Sequence, residues 1–118
     1  MKAWVDGSTT RIAYVLCDCS GVVLSKQVVR LDHKVTGNEG EYLAAMLMLA
    51  HEAQEGCGVH IFCDSLLVAK QMSGEFRVRK PNMRCLKAEL DSIIRSLKLT
   101  VTFEWIPREA NQAGWLLE

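Results

Sequence analysis

The clearest periodic signal lies near the end of the chain, where Leu99, Val101, Phe103 and Trp105 alternate with Thr100, Thr102 and Glu104. A period of two predicts a half-buried strand over Leu99–Ile106, stopped by Pro107. Earlier, Ala3–Asp6 is a short apolar segment halted by Gly7-Ser8, and Arg11–Cys17 is a second extended run. Asp18-Cys19-Ser20-Gly21 supplies turn chemistry before the β-rich pattern resumes at Val22–Arg30. Three strands with tight connections form an antiparallel meander, and Thr36-Gly37-Asn38 breaks the pattern. Glu41–Glu55 reads as a helix ended by Gly56. Its stripe is Leu43, Met46, Leu47 and Ala50. Tyr42, Ala45 and Leu49 make its first half apolar nearly all round, as for a helix buried on a sheet. Val59–Cys63 is a short strand that passes through Asp64-Ser65 into a helix at Leu66–Met72, ended by Gly74. Pro81-Asn82 opens a longer helix with Met83, Leu86, Leu90, Ile93, Ile94 and Leu97 on its apolar face, and Glu109–Leu117 is a last short helix. The order βββαβααβα predicts an α/β fold: one mixed five-stranded sheet with helices packed on it.

A length of 118 residues corresponds to a single domain, 1–118. The apolar fraction of 49% and charged fraction of 24% exclude disorder and collagen-like structure. The longest apolar run, Tyr42–Ala50, has nine residues, about half of a bilayer span. No charged segment leads into a signal-type apolar core. The expectation is a soluble, cytoplasmic domain with no membrane partner and no obligate protein partner. Net charge is zero, but Lys70–Lys98 holds eight basic residues against three acids, +5, and the remainder is −5. That asymmetry fits either a basic lobe beside an acidic centre or a solvated helix face. Five cysteines show no C-x-x-C spacing and no zinc-type partnership with the three histidines, so buried free thiols are expected. Cys17 and Cys19, two apart, would share one face of an extended strand.

Three acids occupy unusual places. Asp6 lies inside or at the end of the first apolar strand, Glu41 opens the most buried helix, and Asp64 ends another apolar strand. Buried carboxylates are costly unless paired or bound to a metal. Gathered at one sheet edge they would repel one another, which a divalent cation resolves; hard oxygen ligands suit Mg²⁺ or Mn²⁺. Taken singly, Asp6-Gly7 also fits a turn, Glu41 a first-turn helix acid, and Asp64-Ser65 an N-cap.

The segments V-D-G-S (Val5–Ser8), N-E-G-E-Y (Asn38–Tyr42), F-C-D-S-L-L-V-A-K-Q (Phe62–Gln71) and I-P-R-E-A-N-Q-A (Ile106–Ala113) resemble, in order, the motifs of type 1 ribonuclease H. The resemblance is to its short bacterial and reverse-transcriptase-associated branch and covers nearly the whole chain. It implies the ribonuclease H-like fold, and an endonuclease that cuts the RNA strand of RNA–DNA hybrids. In that family two Mg²⁺ or Mn²⁺ ions on four carboxylates carry the reaction, and the first three carboxylates map onto Asp6, Glu41 and Asp64. It further implies substrate contacts from Asn38 and Gln71; an exposed helical polar residue is the competing reading of Gln71. Arg77, Arg79 and Lys80 are the candidate phosphate contacts.

The departures define the alternatives. Trp115 stands four residues after Asn111, where the family carries its fourth Asp, and Trp105 stands where many members have a histidine. The glycine-rich segment between the first two strands is reduced to Thr9-Thr10. Glu118, one helical turn beyond Trp115, is the candidate replacement ligand, Glu109 a weaker one, and a frayed, solvated end is the competing reading of Glu118. The expectation is a slow metal-dependent nuclease. The alternatives are a weak or inactive hybrid-binding protein and a fold recruited to protein–protein contact.

Overall fold

A computed structural model describes residues 1–118. The elements are β1 (Lys2–Gly7), β2 (Arg11–Cys17), β3 (Val23–Arg30), α1 (Gly37–Glu52), β4 (Gly58–Cys63), α2 (Leu66–Met72), α3 (Pro81–Ser96), β5 (Thr100–Trp105) and α4 (Gln112–Leu117). The strands form one sheet in the order β3-β2-β1-β4-β5. The first three are antiparallel neighbours, while β4 runs parallel to both β1 and β5. Asp18 closes the β2–β3 turn by accepting from the backbone N–H groups of Ser20 and Val22, and Gly21 takes the positive φ that the turn requires.

Helix α1 packs on β1, β2 and α3, with Tyr42, Ala44, Ala45, Met48 and Leu49 fully buried. Because it is covered from the sheet and from α3 at once, its buried face is not the expected stripe. Leu43, Met46 and Leu47 are half-buried and Ala50 is exposed. The helix begins four residues before the expected Glu41. Thr36 Oγ1 accepts from the Glu39 N–H at 3.1 Å, and Glu39 Oε1 accepts from the Thr36 N–H at 2.9 Å. This reciprocal cap turns the apparent break at Thr36-Gly37-Asn38 into a helix start. The helix also stops sooner than expected, with an extended Ala53 as its C-cap, and Gly56 serves a later turn at positive φ.

Strand β2 is buried from Ile12 to Cys17, so both of its faces are covered, and α4 packs against β1 and β2. The expected last helix is broken in two: a 3₁₀ turn at Arg108–Ala110, then α4 capped by Asn111. All five cysteines are free, but only Cys17 and Cys63 are buried; Cys19 and Cys85 are exposed. Strand β2 ends at Cys17, so Cys19 lies in the turn and shares no strand face with it. No helix is long and apolar enough to cross a membrane.

Candidate metal centre and adjoining cleft

Asp6 comes from the end of β1, Glu41 from the first turns of α1, and Asp64 from just beyond β4. What brings the first two together is a contact between glycines. A Cβ on Gly7 would lie 2.3 Å from the Gly40 carbonyl carbon, and one on Gly40 would lie 2.9 Å from the Ser8 carbonyl oxygen. Only glycine at both positions lets the strand end touch the helix start, which sets the adjoining residue of each, Asp6 and Glu41, side by side. Adjacent parallel strands β1 and β4 then deliver Asp64. Each of the three carboxylates offers an oxygen within 4.8 Å of the other two.

The electrostatics are strained in the way a cation would relieve. Burial pushes the Glu41 carboxyl well above its ordinary range, with Asp6 and Asp64 adding to the shift. Asp6 is raised as well, first by burial; its contact with Glu41 pulls the other way. Glu41 Oε2 is buried and has no hydrogen-bond partner. A buried acceptor left bare costs about 1–3 kcal/mol, and more when charged. Three hard oxygen donors around such an orphan fit a Mg²⁺- or Mn²⁺-type ion.

Asn111, fully buried, anchors the Asp64 carboxylate. Its Nδ2 donates to the Val5 carbonyl at 2.9 Å and to Asp64 Oδ2 at 3.1 Å, and its Oδ1 accepts from the Ala113 N–H at 3.1 Å. One side chain thus ties β1, Asp64 and α4 together. A Cβ on Gly114 would lie 3.0 Å from Asp6 Oδ2, so α4 presses its smallest residue onto the cluster.

Trp105 Nε1 donates to the Asp64 carbonyl at 3.1 Å, and Trp105, the last residue of β5, is 47% exposed where Val101 and Phe103 on the same face are half-buried. Trp115 is 54% exposed, with its Nε1 donating to the Glu109 carbonyl at 3.2 Å, so it is no core residue. Glu118 and Glu109 are exposed and outside the cluster.

Beside the acids lies a cleft of about 890 Å³. Asn38, Gln71, Arg77, Arg79 and Lys80 all line it. Gln71 is only 4% exposed, which overturns its reading as an exposed helical residue. Its Oε1 accepts from the Tyr42 hydroxyl at 2.8 Å. The three basic residues sit in the connection between α2 and α3, not on a helix face. They are exposed and make no ion pair, whereas Lys70, Lys87 and Lys98 are paired with Glu75, Asp91 and Glu55. Sequence reasoning missed Gly7, Gly40, Asn111 and Tyr42. The signal for the glycines was present, since each adjoins an acid in its motif.

A family model described as reverse transcriptase-like matches residues 3–116. The chain belongs to this ribonuclease H-like family, and its sheet and helices have the ribonuclease H-like arrangement. Among curated proteins, it is 32% identical over 80 residues to the uncharacterized protein YpeP of Bacillus subtilis (strain 168), over 65% of this chain and 35% of the relative. The chain thus spans about a third of that relative's length. Among solved structures, it is similar to LC11-RNase H1 in complex with an RNA/DNA hybrid, with a TM-score of 0.84, 24% identity, and coverage of 98% of this chain and 91% of that one. RNase H1 from the halophilic archaeon Halobacterium salinarum NRC-1 matches with a TM-score of 0.86 and 21% identity, over 98% and 92% of the two chains. At these identities the likeness is one of fold.

Proposed function

We propose that this chain is a metal-dependent endoribonuclease acting on the RNA strand of RNA–DNA hybrids, slowed by the lack of a fourth carboxylate. The observation that carries the reading is the Asp6–Glu41–Asp64 cluster with its buried, unpartnered Glu41 oxygen. These three residues would hold Mg²⁺ or Mn²⁺; dications there supply an activated water and stabilise the leaving oxygen of a phosphodiester. The chain's own part is to hold the oxygens in place. Asn111 fixes Asp64, and the Gly7–Gly40 contact fixes Asp6 against Glu41. The exposed Arg77, Arg79 and Lys80 offer phosphate contacts along the cleft.

A second reading, a hybrid-binding protein with little or no turnover, is favoured by one observation. Trp115, which the motif resemblance aligns with a fourth carboxylate, is an exposed indole, and neither Glu118 nor Glu109 joins the cluster. Cleavage of an end-labelled hybrid in Mg²⁺ and in Mn²⁺ separates the two. The nuclease reading expects weak cleavage, stronger in Mn²⁺, lost in Asp6→Asn and raised about tenfold or more in Trp115→Asp over Trp115→Asn. Because Trp115 is exposed, neither replacement empties the core. A folded wild-type protein that binds hybrid but cleaves nothing, with Trp115→Asp no better, leaves the binding reading standing. No hybrid binding removes both.

A further inference from the structure

The two carboxamides that line the cleft, Asn38 and Gln71, are each held in one orientation by a hydroxyl. Ser65 Oγ accepts from the Val68 N–H at 3.1 Å as the N-cap of α2, so its own hydrogen goes to Asn38 Oδ1, 2.8 Å away. Tyr42 is fully buried and its hydroxyl makes one hydrogen bond, to Gln71 Oε1 at 2.8 Å. If the Gln71 amide turned over, its N–H₂ would face that hydroxyl, and the Tyr42 hydrogen would be buried without an acceptor. Gln71 is therefore fixed with its oxygen inward, and Asn38 presents its oxygen to the Ser65 hydroxyl. Neither Asn38 Nδ2 nor Gln71 Nε2 has a partner within the chain, though Gln71 is 4% exposed and both residues line the same cleft.

We propose that Tyr42 is a positioning residue: its hydroxyl makes Gln71 an obligate hydrogen-bond donor to bound nucleic acid, as Ser65 does for Asn38. This stretch of the cleft then takes acceptor atoms of the substrate, ribose 2′-oxygens and the acceptor edges of bases, and rejects groups that can only donate a hydrogen. The proposal rests on hybrid binding, which both readings above share, and two measurements keep their failures apart.

The first needs no nucleic acid. In ¹⁵N-labelled free protein, the Gln71 side-chain amide hydrogens should exchange faster with water in Tyr42→Phe than in wild type, while those of Asn38 are unchanged. Ser65→Ala should release Asn38 and Ser65→Thr should restore it. An unchanged Gln71 amide in a folded Tyr42→Phe protein overturns the proposal. The second is a double-mutant cycle on hybrid affinity at fixed salt. Tyr42→Phe should weaken binding about fivefold and narrow the preference for hybrid over DNA duplex. In a Gln71→Met background the same change should cost less than about twofold. Additive losses that track melting temperature mean a structural role only and overturn it. A wild-type protein that binds no hybrid removes the proposed function, and the amide readout then still decides whether Tyr42 fixes Gln71.

Discussion

Glu41 illustrates what the acid cluster costs the metal-free protein. In the unfolded chain it titrates near 4.5, whereas in the folded protein burial and two neighbouring carboxylates raise it well above that value. Below about 4.5 the group is neutral in both states and costs nothing. As pH rises from there, the unfolded chain releases the proton while the folded protein retains it, so stability falls until the raised folded value is passed. Asp6 shifts in the same direction. Glu41→Gln removes the titration and lets an amide donate to Asp6 and Asp64. The metal-free variant should melt higher than wild type at pH 7, by about 4 °C for each kcal/mol relieved, and the gap should close toward pH 4. Adding Mg²⁺ or Mn²⁺ should stabilise wild type and leave the variant unmoved, because only the native carboxylate set gains by binding. Calorimetry across pH with and without the ion checks both. A wild type that is indifferent to either ion removes the metal centre.

At the scale of elements, the site depends on how closely β1 meets the start of α1. Gly7→Ala places a Cβ 2.3 Å from backbone, which no side-chain rotation relieves, so the strand end and the helix must separate. The expected loss is about 1–3 kcal/mol of stability, the usual cost of overpacking, with a loss of ion binding larger than melting alone explains. A Gly7→Ala protein that binds ions as wild type does would show that the glycine contact does not set the cluster. This contact also marks what could be read from the sequence. The strands, helices α2 and α3, and the acids at the ends of β1 and β4 were legible, because alternation, helical spacing and turn residues are local signals. The packing of Gly7 on Gly40 and the reach of Asn111 from α4 to Asp64 join residues far apart in the chain, and no local period reports them. The start of α1 was misplaced because its first turn is polar and the apolar pattern begins only at Tyr42. The Thr36–Glu39 cap was the usable signal there. The burial of Gln71 was not legible, because it depends on Tyr42, a partner twenty-nine residues away.

Across the whole molecule, zero net charge conceals a division that the fold makes spatial. Acids converge at the ends of β1 and β4, and the connection between α2 and α3 lays Arg77, Arg79 and Lys80 along the neighbouring cleft, free of ion pairs. A polyanion seated in that cleft would be drawn by the basic residues and repelled by bare carboxylates, so cations at the acidic cluster should favour binding as well as chemistry. Two dependences on ions are then expected, with opposite signs. Monovalent salt should weaken hybrid binding through counterion release, with log affinity falling linearly against log salt. Replacing Arg77, Arg79 and Lys80 together by alanine should reduce that slope by about 2–3, roughly one for each phosphate that is no longer neutralised. Low concentrations of Mg²⁺ or Mn²⁺, at constant ionic strength, should instead strengthen binding, and Glu41→Gln should abolish that gain while keeping the monovalent slope. Titrations of a labelled hybrid at several salt concentrations separate the two effects. If the triple variant keeps the wild-type slope, the basic residues are a solvated surface and the hybrid does not lie in this cleft.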